Sequence, residues 1–378
     1  MASFLFSALG AKGHLHPLIA VAKELQAGGH PVAFYTSSHY RELIESLGFK
    51  HLPPKRWRDF DFANFEQYWG ELTEVSGTER AMQIYLKIFA GTAATQAVDL
   101  HNYITVLKPD MLVSEPTALG TNIINAKFNL PFAVFNFSLR PLWLPLIGFK
   151  QVKPDLCLVQ GLECLGVKDD SNGVKTHYVG ACLWDESNAA PPLKLPVTEL
   201  PLVYVSLGTV FARADFFRKV INASSGQAWH IIITTSHKIN PAIFEPLPQN
   251  VSVYQYIPHS QLLHLVSAMV TTGAASHILG ALKHGVPLVL GPLEADHAPN
   301  AEAVIRAEAG LSLDLINGSE TEIAKAIQEV LENPLYRQAS QNLQIELNKL
   351  DGAKEAASRL LLALANVKAP HTSGSLIR

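Results

Sequence analysis

Short apolar runs alternate with stretches of helical period along almost the whole chain. SFLFSAL (3–9) is an apolar run, and residues 10–13 follow as a glycine-bounded loop. Leu18, Val21, Ala22 and Leu25 then recur at the spacing of one helix face, and Gly28-Gly29 ends that helix. PVAFYT (31–36) predicts the next strand, and Leu43, Ile44 and Leu47 the next helix. MLVSE (111–115) and PFAVFNF (131–137) predict two buried strands flanking a helix that carries Ile123, Ile124 and Ala126. Strands alternating with helices imply a parallel, doubly wound sheet.

The alternation breaks twice. Residues 55–80 hold Trp57, Phe60, Phe62, Phe65, Tyr68 and Trp69 without a clean period, which suits either a lid over a pocket or a loop packing its rings on the core. Residues 185–200 are rich in proline and polar side chains and read as a linker. The rhythm then restarts with LVYVSLGT (202–209), HIIITT (230–235), AMVTTG (268–273) and VPLVLGP (286–292) as strands. Ile278, Leu279 and Leu282 mark a helix, Ile323, Ile327 and Val330 a later one, and residues 356–364 the last. The division expected is an N-terminal Rossmann-like domain (1–184), a linker (185–200), a C-terminal Rossmann-like domain (201–366) and a flexible tail (367–378). Two such domains face each other across a cleft at the carboxyl ends of their strands, where ligands of these folds bind.

Composition narrows the partners. The 378 residues exceed one usual hydrophobic core, and with 48% hydrophobic and 17% charged residues the chain is globular. A net charge of −3 offers no general attraction to phosphate polymers, so no nucleic-acid partner is expected. No run reaches the ~18–20 apolar residues of a membrane helix, so no integral membrane segment is expected. Cys157, Cys164 and Cys182 cannot all pair and form no CxxC, and no signal peptide is evident, which fits a cytoplasmic setting.

Candidate chemistry sits on loops after strands. Gly13-His14-Leu15-His16-Pro17 follows the first strand, so His14 faces the cleft, either as a proton acceptor near neutral pH or merely as a helix-capping residue. His14 and His16 form an HxH pair, but two ligands do not close a zinc site and no metal is expected. Leu207-Gly208-Thr209 and Val270-Thr271-Thr272-Gly273-Ala274-Ala275-Ser276 both run from a strand through small residues, where backbone N–H groups attract anions. Two anion-accepting turns suit a diphosphate.

Three strings carry a family resemblance: GHLHPLIAVAKELQAGGHPVAFYT, YVSLGT and VTTGAASHILGALKHGVPLVLGPLEADHAPNA. The last resembles the nucleotide-sugar signature THGGxNSxxEALxxGVPxxxxPxxxDQxxNA of the UDP-glycosyltransferase-like family, which includes plant secondary-metabolite and bacterial macrolide and carotenoid glycosyltransferases. The resemblance implies a GT-B fold. It places the general base on His14, with Gly13 beside the donor, and the orienting acid on Glu115, where the family has aspartate. It puts Tyr256 where the family stacks tryptophan on the nucleobase, with Ile257 next to it and His259 in place of a glutamine. Thr272 replaces the phosphate-binding histidine, Ala274 a glycine, Ser276 an asparagine and His277 a serine. His277 is thereby a candidate cationic phosphate contact. Gly280 stands where a glutamate binds the ribose hydroxyls, and Asp296-His297 where Asp-Gln reads the sugar.

What the resemblance implies is inverting, metal-independent O-glycosyl transfer of a hexose from a UDP- or dTDP-sugar to a small apolar, hydroxyl-bearing acceptor, with no further cofactor. His14 removes the acceptor proton, Glu115 steadies the imidazolium, and N–H groups near Thr209, Gly273 and Ser276 receive the leaving diphosphate. Two other readings fit less: a transferase of N-acetylglucosamine to the peptidoglycan lipid intermediate, and a non-catalytic binding protein on the same fold.

Overall fold

The computed structural model describes residues 1–75, 77–142, 144, 148, 152–166, 173–187, 193 and 195–368. The first half runs β1 (Phe4–Ser7), α1 (Lys12–Ala27), β2 (Val32–Tyr35), α2 (Arg41–Ser46), β3 (Lys50–Leu52), α3 (Gly77–Ile84), α4 (Ala90–Leu107), β4 (Met111–Ser114), α5 (Gly120–Phe128), β5 (Phe132–Asn136), β6 (Leu156–Val159) and β7 (Thr176–Tyr178). The second runs β8 (Leu202–Ser206), α6 (Ala214–Ser224), β9 (His230–Thr234), β10 (Val251–Tyr254), α7 (His259–Leu262), β11 (Ala268–Thr271), α8 (Ala275–Lys283), β12 (Leu288–Leu290), α9 (His297–Arg306), β13 (Gly310–Ser312), α10 (Glu320–Glu332), α11 (Pro334–Asn348) and α12 (Gly352–Lys368).

Two parallel sheets result, ordered β3-β2-β1-β4-β5-β6-β7 and β10-β9-β8-β11-β12-β13. Both follow from the strand period of two. In β1, Phe4 and Phe6 pack with Leu18 and Val21 of α1, while Leu5 faces Leu100 and Ile104 of α4. In β8, Val203 and Val205 pack with Phe217 and Val220 of α6, while Tyr204 faces Ile278 and Leu282 of α8. Each such side chain, wholly buried, contributes about 1.5–3 kcal/mol relative to leaving it in water. Strand order reverses at β1/β4 and at β8/β11, which opens a crevice at the carboxyl end of each sheet.

One boundary differs from the sequence expectation. Helix α12, grouped above with the second half, packs its Ala356, Leu360 and Leu364 into the first core beside α1. Its apolar positions are compatible with either sheet, and only the path of the chain after α11 selects the first.

The aromatic stretch at 55–80 packs its rings on the core and borders the cleft. Phe60, Phe62, Phe65 and Leu72 bury one another against Leu9 and Ala11, and Phe62 and Phe65 also line the cleft. Gly10 permits this docking, because a Cβ there would lie 2.5 Å from the Phe60 carbonyl, to which no side chain could yield. Of the linker, Asp185 to Ser187 are described and border the cleft, whereas 188–192 and 194 lie outside the described residues, as does the tail from 369.

Candidate active site

A cleft of about 870 Å³ is lined from both halves of the chain. On the first-half side, β1 and β4 are paired in register, Ser7 beside Ser114. Whatever follows these strands is therefore brought side by side, and Glu115 prolongs the ladder by donating its N–H to the Ser7 carbonyl at 3.1 Å. His14 lies in the first turn of α1, and its Nδ1 stands 3.5 Å from Glu115 Oε1. The imidazole stacks on Phe137, just past β5, with ring centres 3.8 Å apart and planes within 15°.

Glu115 is wholly buried and well supplied with donors. Oε1 accepts from the Leu9 N–H at 3.1 Å and from the Thr117 hydroxyl at 2.6 Å, and Oε2 accepts from the Thr117 N–H at 2.6 Å. Burial by itself pushes the carboxyl up, but His14 and the hydrogen bonds from His14 and Thr117 outweigh it and hold the group below its ordinary value. The site therefore carries a carboxylate. The Thr117 hydroxyl has one proton and gives it to that carboxylate, so toward His14 Nδ1, 3.4 Å away, it accepts. Carboxylate and hydroxyl together favour the tautomer with its proton on Nδ1 and the lone pair of Nε2 free for an acceptor. The added methylene of glutamate does not prevent this contact. Sequence reasoning missed Thr117 and Phe137, since neither residue type carries a signal until the strands align.

His16 does something else. It is half-buried with its ring perpendicular to Trp184, and burial, then Lys12, lower it to about 4. Among the described residues no group of three His, Cys, Asp or Glu side chains is placed to hold a metal ion.

On the opposite side β8 and β11 pair in register, Ser206 beside Thr271, and set the Leu207-Gly208-Thr209 and Thr272-Gly273-Ala274 turns side by side. The second turn enters α8. No side chain caps this helix at Ala274, so the first N–H groups, at Ala275 and Ser276, have no intrahelical partner and suit an anion. Gly273 adopts φ of +103°, and a Cβ there would meet the His297 carbonyl at 2.9 Å. Thr272 Oγ1 and His297 Nδ1 are buried without a hydrogen-bond partner, and both residues line the cleft. Asp296, at the start of α9, accepts from Asn300 Nδ2 at 2.8 Å. The His297 ring meets Phe211 edge-on at 4.9 Å, and burial lowers its basicity although Asp296 opposes this.

One histidine is corrected here. His277 is not a cationic phosphate contact: burial, then His259 and His297, hold it well below its ordinary value, and its Nδ1 is tied to Thr271 Oγ1 at 2.7 Å. The ring is neutral, facing the Gly208 turn. His259 is half-buried and lines the cleft, lowered to about 4 by burial, and packed edge-on against Tyr204 and His277. Tyr256 by contrast is partly open, stacked at 6.0 Å with His237 and covered by the Lys12 ammonium at 5.4 Å. Lys12 also pairs with Glu186 at 2.9 Å, and Asp185 accepts from Ser260 N and Oγ. Gly280 lines the same wall beside Leu263.

Apolar residues dominate the first-half wall: Phe62, Phe65, Ile84, Phe89, Phe137 and Leu142. Arg80 of α3 crosses the cleft, its Nε 3.4 Å from Glu294 and its Nη2 3.6 Å from Glu66, while Lys238 Nζ donates to the Val210 carbonyl at 3.1 Å.

Comparison with known proteins agrees with this fold. Residues 4–100 match the glycosyltransferase family 28 N-terminal domain, and residues 219–361 the erythromycin biosynthesis protein CIII-like C-terminal domain. The 4'-demethylrebeccamycin synthase of Lentzea aerocolonigenes is 26% identical over 407 residues, covering 91% of this chain and 95% of that protein. The crystal structure of CalG4, the calicheamicin glycosyltransferase, superimposes with a TM-score of 0.81 at 19% identity, covering 98% of this chain and 100% of CalG4. Spinosyn rhamnosyltransferase SpnG complexed with thymidine diphosphate gives a TM-score of 0.74 at 18% identity, covering 96% of this chain and 100% of SpnG. With paired Rossmann-like sheets, matched domains in both halves and relatives along nearly its full length, the chain belongs to the UDP-glycosyltransferase-like family and is a glycosyltransferase of the GT-B fold.

Proposed function

We propose that the enzyme transfers a hexose, with inversion, from a nucleoside diphosphate sugar to a hydroxyl of an apolar natural-product aglycone. The observation that carries this reading is the His14–Glu115 pair on one wall of the cleft, opposite the open N–H groups of α8 on the other. The acceptor hydroxyl gives its proton to His14 Nε2 as its oxygen attacks the anomeric carbon. The bond from that carbon to the diphosphate oxygen breaks on the opposite face, so the configuration inverts. Negative charge grows on the leaving diphosphate, where the N–H groups near Thr209, Gly273 and Ser276 receive it. Thr272 Oγ1, which makes no hydrogen bond within the protein, is a further donor to it. The imidazolium formed is stabilised by the Glu115 carboxylate. Asp296 and His297 read the sugar, and the nucleobase lies on Tyr256 beside Ile257. The aromatic wall accounts for an apolar acceptor, because it offers area rather than hydrogen bonds.

Gly280 leaves the ribose hydroxyls without a carboxylate, so a deoxyribose loses little by comparison. The SpnG relative was crystallised with thymidine diphosphate. Thymidine and uridine donors of the same sugar are expected to compete within about tenfold, a gap of ~1.4 kcal/mol. Competition kinetics measure this ratio, and NMR of the glycoside reports the anomeric configuration. Retention, or a preference for uridine by orders of magnitude, contradicts the reading.

Gly280→Glu tests the ribose contact directly. A Cβ there meets only Leu263 Cδ1, at 2.9 Å, the end of a flexible side chain that can turn aside. A charge-assisted hydrogen bond is worth ~1.5–3 kcal/mol, so UDP should bind about tenfold more tightly or better, with dTDP gaining less. Calorimetric titration of both nucleotides measures the difference. No gain for either would place the ribose elsewhere, and equal gains would place the contact on the 3′-hydroxyl that both nucleotides carry.

A further inference from the structure

Asn300 lies on α9, four residues beyond Asp296, and is wholly buried. Its Nδ2 donates to the Gly273 carbonyl at 3.0 Å and to Asp296 Oδ2 at 2.8 Å. Its Oδ1 accepts from Ser138 Oγ at 3.1 Å and from the Leu139 N–H at 3.4 Å. Both N–H donors and both acceptor sites of one amide are thus engaged. Gly273 and Asp296 belong to the proposed donor site, whereas Ser138 and Leu139 follow β5 in the other half of the chain. Arg140 adds a bond to the Pro299 carbonyl at 3.3 Å alongside. Phe137, on which His14 stacks, is the residue immediately before Ser138.

One amide therefore joins the turn receiving the diphosphate, the carboxylate holding the sugar and the loop supporting the base. A satisfied, buried polar group of this kind fixes a single register between the parts it joins. Register matters here because the acceptor oxygen and the anomeric carbon are held by different halves of the chain, and a misplacement of about 1 Å can cost ~10²-fold in rate. We propose that Asn300 is a positioning residue that couples donor occupancy to the placement of His14. Donor binding at Gly273 and Asp296 steadies the amide, and the amide steadies Ser138 and Leu139. This rests on the donor and base assignments above.

Two experiments test it. Ser138→Ala removes one bond on the base side and leaves those to Gly273 and Asp296 in place. Its donor KM should stay within about twofold, its kcat should fall about tenfold, and more donor should be lost to water instead of acceptor. A residue that only held the halves together would lower Tm without changing that partition. Separately, hydrogen exchange of the Leu139 amide should slow about tenfold when dTDP or UDP binds the wild-type chain, and Asn300→Ala should abolish the slowing. Should Asn300→Ala not fold, Ser138→Ala and the wild-type exchange experiment decide alone. Nucleotide binding without any change at Leu139, or Ser138→Ala with wild-type kcat and partition, overturns the coupling and leaves the transferase reading intact. Failure of the wild-type chain to bind either nucleotide overturns both.

Discussion

His14→Ala is expected to lower transfer about 10²–10⁴-fold, the usual contribution of a positioned general base, which is ~2.7–5.4 kcal/mol of barrier. The loss should fall on kcat, with donor KM little changed, because the imidazole acts on the acceptor proton while the donor is held across the cleft. Stability should suffer little. The side chain is 17% exposed at the wall of the cleft, so its removal enlarges a space already open to solvent. Added imidazole should restore part of the rate, since the vacated space beside Phe137 has a ring-shaped floor. A variant with wild-type turnover removes the proposed chemistry. One that unfolds, by circular dichroism, shows instead that the ring is a structural prop.

Glu115→Gln should cost about 10²-fold in kcat and some stability as well, and the two losses have different causes. The amide cannot stabilise an imidazolium as a carboxylate does. It also frees the Thr117 hydroxyl to donate toward Nδ1, which favours the tautomer with its proton on the wrong nitrogen. Stability falls because both carboxylate oxygens accept from backbone N–H groups, Leu9 on one side and Thr117 on the other. Whichever way the glutamine lies, its NH₂ faces one of them, and an unsatisfied buried donor costs ~1–3 kcal/mol. The pH dependence has a definite sign. Burial raises the Glu115 carboxyl, but His14 and Thr117 prevail, so its folded value lies below its unfolded one. Its contribution is then fully present above the unfolded carboxyl value, ~4.3, and is lost as pH falls through the folded one. Urea titrations should show the lead of the wild type over Glu115→Gln at pH 7 and its shrinkage in acid. A constant gap across that range would mean that Glu115 gains nothing from ionisation on folding.

The proposed base and its acid were legible in the sequence through the family resemblance, and both positions, His14 in the first turn of the helix after β1 and Glu115 directly after β4, lie where a doubly wound sheet opens its crevice. His14 and Glu115 needed only the adjacency of β1 and β4. The phosphate turns were legible because small residues after a strand and before a helix leave N–H groups open. Asn300 stood within a quoted motif, but its role depends on Ser138, 162 residues away. No local pattern announces a partner at that separation.

His277 shows most clearly where local reading stops. Chemistry alone makes His277 a possible cation, and only its enclosure by Thr271, His259 and His297 makes it neutral, because desolvation penalises the charged ring. Helix α12 has apolar spacing that either core could bury, and the chain path after α11 assigns it to the first. The sequence by itself determined the alternation of elements, the two parallel sheets and the residues at strand ends, because these follow from hydrophobic period and local turn chemistry. Burial, charge state, the bridge through Thr117 and the clasp at Asn300 were decided only by tertiary structure, because each depends on groups brought together from distant parts of the chain.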